Sequence, residues 1–107
     1  MTPSKGDIQR VTDMLVREFH PSRVVLFGSR VYGTPRQDSD VDLLVVLPFE
    51  GSPVAVMSKM LARAYEVMQR PFAVELHPRR PLAQGCDPDP VMRDALERGV
   101  VLFEAAA

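Results

Sequence analysis

Two neighbouring segments decide the fold of this chain: VVLFGSRVYG at residues 24–33 and SDVDLLVV at residues 39–46. The first contains a short apolar, β-branched run that ends in glycine, which predicts a strand over Arg23–Phe27 that stops at Gly28. The second gives the strongest strand pattern in the sequence, over Val41–Leu47. The link between the two strands is too short for a secure crossover helix, so we expect a mixed sheet rather than a fully parallel one.

The sequence on either side of this pair alternates between helical and extended patterns. Apolar residues at spacings of three and four predict helices, proline and glycine mark their ends, and two further apolar runs predict strands. The remaining predicted elements are a helix at Asp7–Phe19, a helix along the face from Met57 to Met68 that reaches Arg70, a strand at Phe72–Leu76, a surface loop at Pro78–Pro88, a helix from Asp89 or Pro90 to Arg98, and a strand at Val100–Phe103. This order predicts an α+β fold in which helices flank a mixed β-sheet, and the length predicts a single domain over residues 1–107.

The composition excludes several classes of protein. The chain has 107 residues, with 13 Lys plus Arg against 14 Asp plus Glu. Its net charge of −1 argues against a protein that binds nucleic acid through a broad basic face. No apolar run approaches the roughly 18 residues of a membrane span, so no membrane association is expected. The one cysteine, Cys86, has no partner for an internal disulfide, which is typical of a cytoplasmic protein.

Paired carboxylates open the second strand. Asp40 and Asp42 are two residues apart, which places both side chains on one face of a strand. Two such carboxylates about 4 Å apart repel by about 4 kcal/mol at an effective dielectric constant near 20, so a compensating charge is expected. A divalent cation would supply it, and Mg²⁺ binds a few carboxylates together with substrate phosphates. For an isolated pair of this kind, a strand cap at Asp40 and a solvent-facing Asp42 would be an equally good interpretation.

The end of the first strand supplies a second feature. A strand that runs into glycine and a helical turn leaves backbone N–H groups where a phosphate can bind. The Ser29 hydroxyl adds a donor and Arg30 adds positive charge, so Gly28, Ser29 and Arg30 are candidates for phosphate binding. Most Gly-Ser pairs before a turn are only turns. The combination with Asp40 and Asp42 is what indicates a phosphate cradle beside a metal site.

These motifs resemble those of a known family. FGSRVYG at residues 27–33, followed by SDVDLLV at residues 39–45, closely resembles the signature of minimal nucleotidyltransferase (MNT) domains of the DNA polymerase beta superfamily. The final helix and strand, LERGVVLF at residues 96–103, resemble the last elements of that family. The resemblance implies the polymerase beta-like nucleotidyltransferase fold over nearly the whole chain, and it assigns Gly28, Ser29 and Arg30 to nucleotide binding.

The resemblance also implies a third carboxylate on a later strand. Glu75 is the only acid in the third predicted strand, and it alternates with the apolar Val74 and Leu76, so we assign it this position. Asp40, Asp42 and Glu75 would then be the catalytic and metal-binding residues of a two-metal Mg²⁺ site. The family more commonly has aspartate at the third position, and the longer glutamate shifts the carboxylate. An exposed charge on a strand face is the alternative interpretation of Glu75.

The activity that the resemblance implies is transfer of a nucleoside monophosphate to a hydroxyl, with AMP taken from ATP. The short chain carries the catalytic core of the family without the domains by which larger relatives hold their acceptors, so a protein partner and a homo- or hetero-oligomer are expected. The family suggests a HEPN-domain toxin as that partner and an antitoxin role for this chain. The alternative is a weakly active or inactive antitoxin that neutralises the toxin by binding alone. Transfer to a small molecule or to nucleic acid is the third possibility.

Three further groups of residues each have a structural and a functional interpretation. His77 would share the face of Glu75, but a strand-end histidine that bonds to water is the commoner case. Arg79 and Arg80 could approach a triphosphate, but a solvated loop is favoured. Three methionines of the second helix are predicted to be core residues rather than a partner groove: Met57, Met60 and Met68.

Overall fold

The computed structural model describes residues 3–28, 31 and 40–106. Three helices and four strands in this part of the chain follow the predicted order: α1 at Lys5–Phe19, β1 at Arg23–Phe27, β2 at Val41–Val46, α2 at Pro53–Val67, β3 at Val74–Arg79, α3 at Pro90–Arg98 and β4 at Val100–Glu104. None of the described helices is both long enough and apolar enough to cross a membrane.

The four strands form one mixed sheet in the order β3-β2-β1-β4. β1 is antiparallel to β2 and to β4, whereas β2 is parallel to β3. The antiparallel pairing of β1 with β2 agrees with their short link, and the parallel pairing of β2 with β3 requires the crossover that α2 supplies. The prediction of a mixed sheet flanked by helices is therefore confirmed.

Helices cover both faces of the sheet, and β2 is buried on both sides. Leu43 and Val45 face a core built with α1 and α2, while Leu44 and Val46 face a second core built with α3. A strand that is buried on both faces has a continuous run of apolar residues, so its position is clear from the sequence. Asp42 has the same parity as Leu44, so its side chain lies on the α3 face of the sheet.

The third strand differs from its prediction. β3 spans Val74–Arg79 instead of Phe72–Leu76, because it pairs in register with β2 from Val41↔Val74 to Val46↔Arg79. The proline at residue 78 predicts a loop that begins there. The hydrogen bonds between β2 and β3 explain why proline is tolerated at residue 78. The carbonyls of residues 73 and 79 accept hydrogen bonds from the N–H groups of residues 41 and 47, so by alternation the backbone N of Pro78 points away from β2. In the described part of the chain β3 is an edge strand, where proline is tolerated.

The ends of two helices also differ by a few residues. α1 begins at Lys5, before the predicted Asp7, because the Ser4 side chain accepts from the Asp7 N–H while the Asp7 carboxylate accepts from the Ser4 N–H. α2 ends at Val67, since Met68 adopts an extended backbone and packs against the core. The methionines of this face are core residues as predicted: Met60 is buried, and Met57 and Met68 are partly buried against it.

Gly99 joins α3 to β4 at a point of close packing. Its φ of −79° is open to any residue, but a Cβ there would lie 2.5 Å from the Ala95 carbonyl oxygen, 2.5 Å from Val25 Cγ1 and 2.8 Å from the Leu26 carbonyl oxygen. Two of these three atoms belong to the backbone and cannot rotate away. We therefore expect Gly99→Ala to lower the free energy of unfolding by about 2 kcal/mol, as overpacking does elsewhere.

Urea unfolding followed by circular dichroism measures this loss, and Gly6→Ala is the matched control. Gly6 lies in the exposed first turn of α1, where the nearest atom to an added Cβ is Ser4 Oγ at 3.6 Å. Because alanine is the better helix former, Gly6→Ala should leave stability unchanged or raise it by up to about 1 kcal/mol. Equal stabilities for the two variants would contradict the close packing at Gly99.

Candidate metal centre

Acidic side chains meet at the edge of the sheet where β1 ends and where β2 and β3 begin. Asp42 is the second residue of β2, and its register partners are Phe27 in β1 and Glu75 in β3. Register partners on neighbouring strands point to the same face, so the carboxylates of Asp42 and Glu75 lie side by side. Two like charges in this arrangement destabilise the fold unless a positive group lies between them.

His77 completes the cluster from the same strand as Glu75. Its Nε2 lies 3.3 Å from Asp42 Oδ1 and 3.7 Å from Glu75 Oε2. One ligand atom from each of Asp42, Glu75 and His77 lies within 4.8 Å of the other two. Two carboxylate oxygens and an imidazole nitrogen at this separation could hold a divalent metal ion.

The cluster is open to solvent on one side and supported on the other. The side chains of Asp42 and His77 are 20% and 23% exposed, whereas that of Glu75 is 54% exposed. Beneath them the Phe27 ring meets the His77 ring edge-on, with centroids 5.1 Å apart. The centre is therefore held by the sheet from below and accessible to a substrate from above.

Gly28 shapes the wall of the centre beside Asp42. Its φ is +87°, and its carbonyl accepts a hydrogen bond from the Val31 N–H at 3.0 Å, so the chain turns sharply at the end of β1. A Cβ at this position would collide with Asp42 Oδ2 and would lie 3.2 Å from its Cγ. Glycine is thus required twice: for the left-handed backbone, and because the Asp42 carboxylate occupies the space of a side chain.

A comparison with protein families agrees with this fold and this centre. A family model described as "Nucleotidyltransferase domain" matches residues 8–102, most of the chain. The chain belongs to this family. The matched range runs from the first turns of α1 into β4 and includes the whole cluster at Asp42. A search of the curated proteins returned no significant match.

The residues fit what a nucleotidyltransferase domain needs. Phosphoryl and nucleotidyl transfer depend on divalent cations to neutralise the charge of the phosphates, and such cations take carboxylate oxygens as ligands. Asp42 and Glu75 supply those oxygens, and the absence of a side chain at Gly28 leaves room for the Asp42 carboxylate. The family match and the geometry therefore both support a nucleotidyltransferase fold with a candidate metal site.

The residues assigned to the site from the sequence meet different outcomes. Asp42 and Glu75 lie together in the cluster, and Gly28 borders it. Asp40 is half-buried just before β2 and is not one of the three residues whose ligand atoms converge, among those that the structure describes. Ser29 and Arg30 lie outside the described residues, so their assignment to nucleotide binding stays a prediction.

His77 is the member of the cluster that the sequence interpretation undervalued. The favoured interpretation, a strand-end histidine bonded to water, is wrong because β3 continues to Arg79 and His77 faces Asp42. The available signal was its spacing of two from Glu75, which places both side chains on one face of a strand. The sequence analysis recognised this shared face, but it placed His77 beyond the end of the predicted strand and so favoured a bond to water.

The two arginines that follow have partners within the nucleotidyltransferase domain. Arg79 lies in β3 instead of the predicted loop, whereas Arg80 is exposed in the loop that follows, as predicted. Arg79 donates from Nε and Nη2 to the two carboxylate oxygens of Asp89, both at 3.0 Å, and this pairing holds the pKa of Asp89 below its ordinary value. Arg80 stacks 4.2 Å from the centroid of the Phe49 ring and donates to the carbonyls of Phe49 and Gly51. These contacts tie β3 to the start of α3 and to the loop after β2.

Proposed function

We propose that this nucleotidyltransferase domain moves AMP from ATP to a hydroxyl group on a HEPN-domain toxin, and that it serves as the antitoxin of that pair. The transferase part rests on one observation: Asp42, Glu75 and His77 form a candidate metal centre in a chain of the nucleotidyltransferase family. The preference for ATP and the HEPN partner rest on the resemblance of residues 24–46 to minimal nucleotidyltransferase domains.

The chain's own residues account for the chemistry as follows. Asp42 and Glu75, with Asp40 nearby in sequence, would hold divalent cations, Mg²⁺ in the ordinary case, which neutralise the triphosphate when bound. The turn at Gly28 would place the nucleotide phosphates beside them. In the transfer, the acceptor oxygen forms a bond to the α-phosphorus, the bond from that phosphorus to the bridging oxygen breaks, and pyrophosphate leaves.

Glu75 is the residue best placed to take the proton of the acceptor hydroxyl. Its side chain is 54% exposed while its strand partner Asp42 is 20% exposed, so Glu75 forms the outer lip of the centre. A general base must lie within hydrogen-bonding reach of the hydroxyl that it deprotonates. An outer position suits an acceptor that arrives from solution on the surface of another protein.

The open centre and the charge of the chain support a protein acceptor over nucleic acid. A net charge of −1 provides little attraction for a phosphate backbone. Arg79 and Arg80, the local basic pair, are already bound to Asp89 and to the loop at Phe49. A hetero-oligomer with the toxin and a cytoplasmic location belong to the same proposal, and the exposed free thiol of Cys86 is compatible with a reducing compartment.

A binding-only antitoxin is the second candidate, and Glu75 favours it. The longer side chain replaces the aspartate that is usual in the family, which would weaken a step that needs a base at a fixed distance. The double variant Asp40→Asn/Asp42→Asn separates the two functions in cells. If the double variant still restores the growth of cells that produce the toxin, neutralisation by contact is supported. If it no longer restores growth, modification of the toxin is supported.

The direct test is a transfer assay with the purified chain, its co-expressed neighbouring gene product and each of the four nucleoside triphosphates labelled at the α-phosphate. We expect label from ATP on the partner, a mass increase of one AMP, and release of pyrophosphate. Label from another nucleotide would overturn the ATP preference. An unchanged partner mass with every nucleotide would overturn the modifying role, and label on an added small molecule would replace the protein acceptor.

A further inference from the structure

We infer that His77 is a direct ligand of the metal and that it turns the preference of the centre from Mg²⁺ toward borderline ions such as Mn²⁺ and Zn²⁺. The inference rests on the proposed function only in that the same centre serves nucleotidyl transfer. Its support is the position of one imidazole nitrogen, the packing that fixes it, and the ligand chemistry of nitrogen.

The position of His77 Nε2 suits a ligand. Adjacent ligand atoms around an ion with bonds of about 2.1 Å are about 3.0 Å apart in octahedral geometry and about 3.4 Å apart in tetrahedral geometry. Nε2 lies 3.3 Å from Asp42 Oδ1 and 3.7 Å from Glu75 Oε2, close to those edges. The nitrogen is therefore already near the spacing of a shared coordination shell with each oxygen, and the three ligand atoms lie within 4.8 Å of one another.

Two features fix the His77 ring in this position. β3 is paired with β2 on both sides of His77, at Leu43↔Leu76 and at Val45↔Pro78, so the backbone is set by the sheet. The buried Phe27 ring meets the imidazole at an interplanar angle of 61°. A ring held by the sheet and by an aromatic neighbour loses little further side-chain entropy when a metal binds.

An imidazole ligand changes which ion is favoured. Mg²⁺ prefers oxygen ligands, whereas ions from Mn²⁺ to Zn²⁺ accept imidazole nitrogen with rising affinity along the transition series. The converging ligand set at this centre is two carboxylates and one neutral ring instead of three carboxylates. This set offers less negative charge to Mg²⁺ and one softer donor to the borderline ions. Both differences favour the borderline ions over Mg²⁺.

Calorimetric titration with MgCl₂, MnCl₂ and ZnCl₂ tests the inference without any nucleotide. The wild type should bind Mn²⁺ and Zn²⁺ at least about 10-fold more tightly than Mg²⁺, and His77→Asn should weaken the first two by about 10- to 100-fold while changing Mg²⁺ affinity by less than about 3-fold. His77→Asp, which gives the converging cluster a third carboxylate, should bind Mg²⁺ more tightly than the wild type does.

The other histidine of the chain provides the control. His20 caps α1 at a φ of 52°, a left-handed conformation that asparagine also accepts, and it is not part of the cluster. His20→Asn should therefore leave all three affinities unchanged. Ring ¹⁵N NMR separates ligation from mere positioning: on addition of Zn²⁺, the nitrogen signal of His77 should shift and that of His20 should stay in place.

Two results would overturn the inference: a wild-type metal preference in His77→Asn, or an unmoved His77 nitrogen signal in the Zn²⁺-bound protein. Circular dichroism of each variant shows whether it has folded, and the NMR arm needs only the wild type. A chain that transfers no nucleotide with any metal but shows the expected selectivity would refute the proposed function alone. Transfer with an unchanged metal preference in His77→Asn would refute the role of His77 alone.

Discussion

Asp42→Asn should abolish nucleotidyl transfer, with kcat/KM reduced by at least about 10³-fold, because it removes a charged ligand from the centre of the metal site. Asp42 contacts the other two members of the cluster. It is paired with Glu75 across the sheet, and its carboxylate lies 3.3 Å from His77 Nε2. Asparagine keeps the shape of the side chain but binds a divalent cation far less strongly.

The same substitution should leave the fold intact. Asparagine removes the repulsion between Asp42 and Glu75, so the free energy of unfolding should stay the same or rise by up to about 1 kcal/mol. Asp13→Asn is the matched control, since Asp13 lies exposed on α1 and its carboxylate accepts from Gln9. Transfer assays on both variants, with urea unfolding alongside, make the comparison. More than a tenth of wild-type activity in Asp42→Asn would contradict a metal centre at this position.

Gly28→Ala should have the second largest effect, with activity reduced by about 10²-fold. The added methyl would occupy the place of the Asp42 carboxylate, which would have to leave its present position beside Glu75 and His77. The backbone contributes a separate cost, because a left-handed φ of +87° strains any residue with a Cβ by about 1–2 kcal/mol. Both the stability and the metal affinity should therefore fall.

Gly51→Ala separates these two causes. Gly51 has nearly the same φ, +83°, but no atom outside its neighbouring residues lies within 4 Å of where its Cβ would be. Both alanine variants should lose about 1–2 kcal/mol in urea unfolding, and only Gly28→Ala should lose Mn²⁺ affinity and transfer activity. If the two variants kept equal activity, the contact between Gly28 and Asp42 would have no role in the centre.

Elements with clear local signals could be predicted closely from the sequence. β1 begins and ends where predicted, at Arg23 and Phe27, because an apolar run is bounded by polar residues and glycine. α3 likewise spans Pro90–Arg98, between an initial proline and a glycine. The mixed sheet could be predicted from the length of the link between β1 and β2, which is too short for a secure crossover helix.

The errors arose where tertiary pairing overrides a local signal. The proline at residue 78 predicts a strand end, but it loses no ladder bond when its backbone faces the free edge, and the register with β2 extends β3 to Arg79. His77 was recognised as sharing the face of Glu75, but the water-bonded interpretation was favoured for the same reason. The partners of Arg79 and Arg80 could not be predicted either, because Asp89 and Phe49 reach them only through the fold.

The candidate site was predictable in its acids but not in its full composition. The pairing of Asp42 with Glu75 was inferred from strand parity together with a family resemblance, and the register of β2 and β3 brings the two together. Asp40 shares the predicted motif, yet the converging atoms described belong to Asp42, Glu75 and His77. Spacing along one strand predicts a shared face, whereas convergence also depends on which residues the neighbouring strand presents.

The outward-facing proline of β3 has a consequence for how these molecules behave in a crowded solution. An exposed strand edge is a template on which another chain can add a strand, and such additions lead to aggregation. At Pro78 this edge lacks the N–H donor that a continuous intermolecular ladder would need. The rim of the sheet next to Glu75 and His77 is thereby protected against self-association and stays open to substrates.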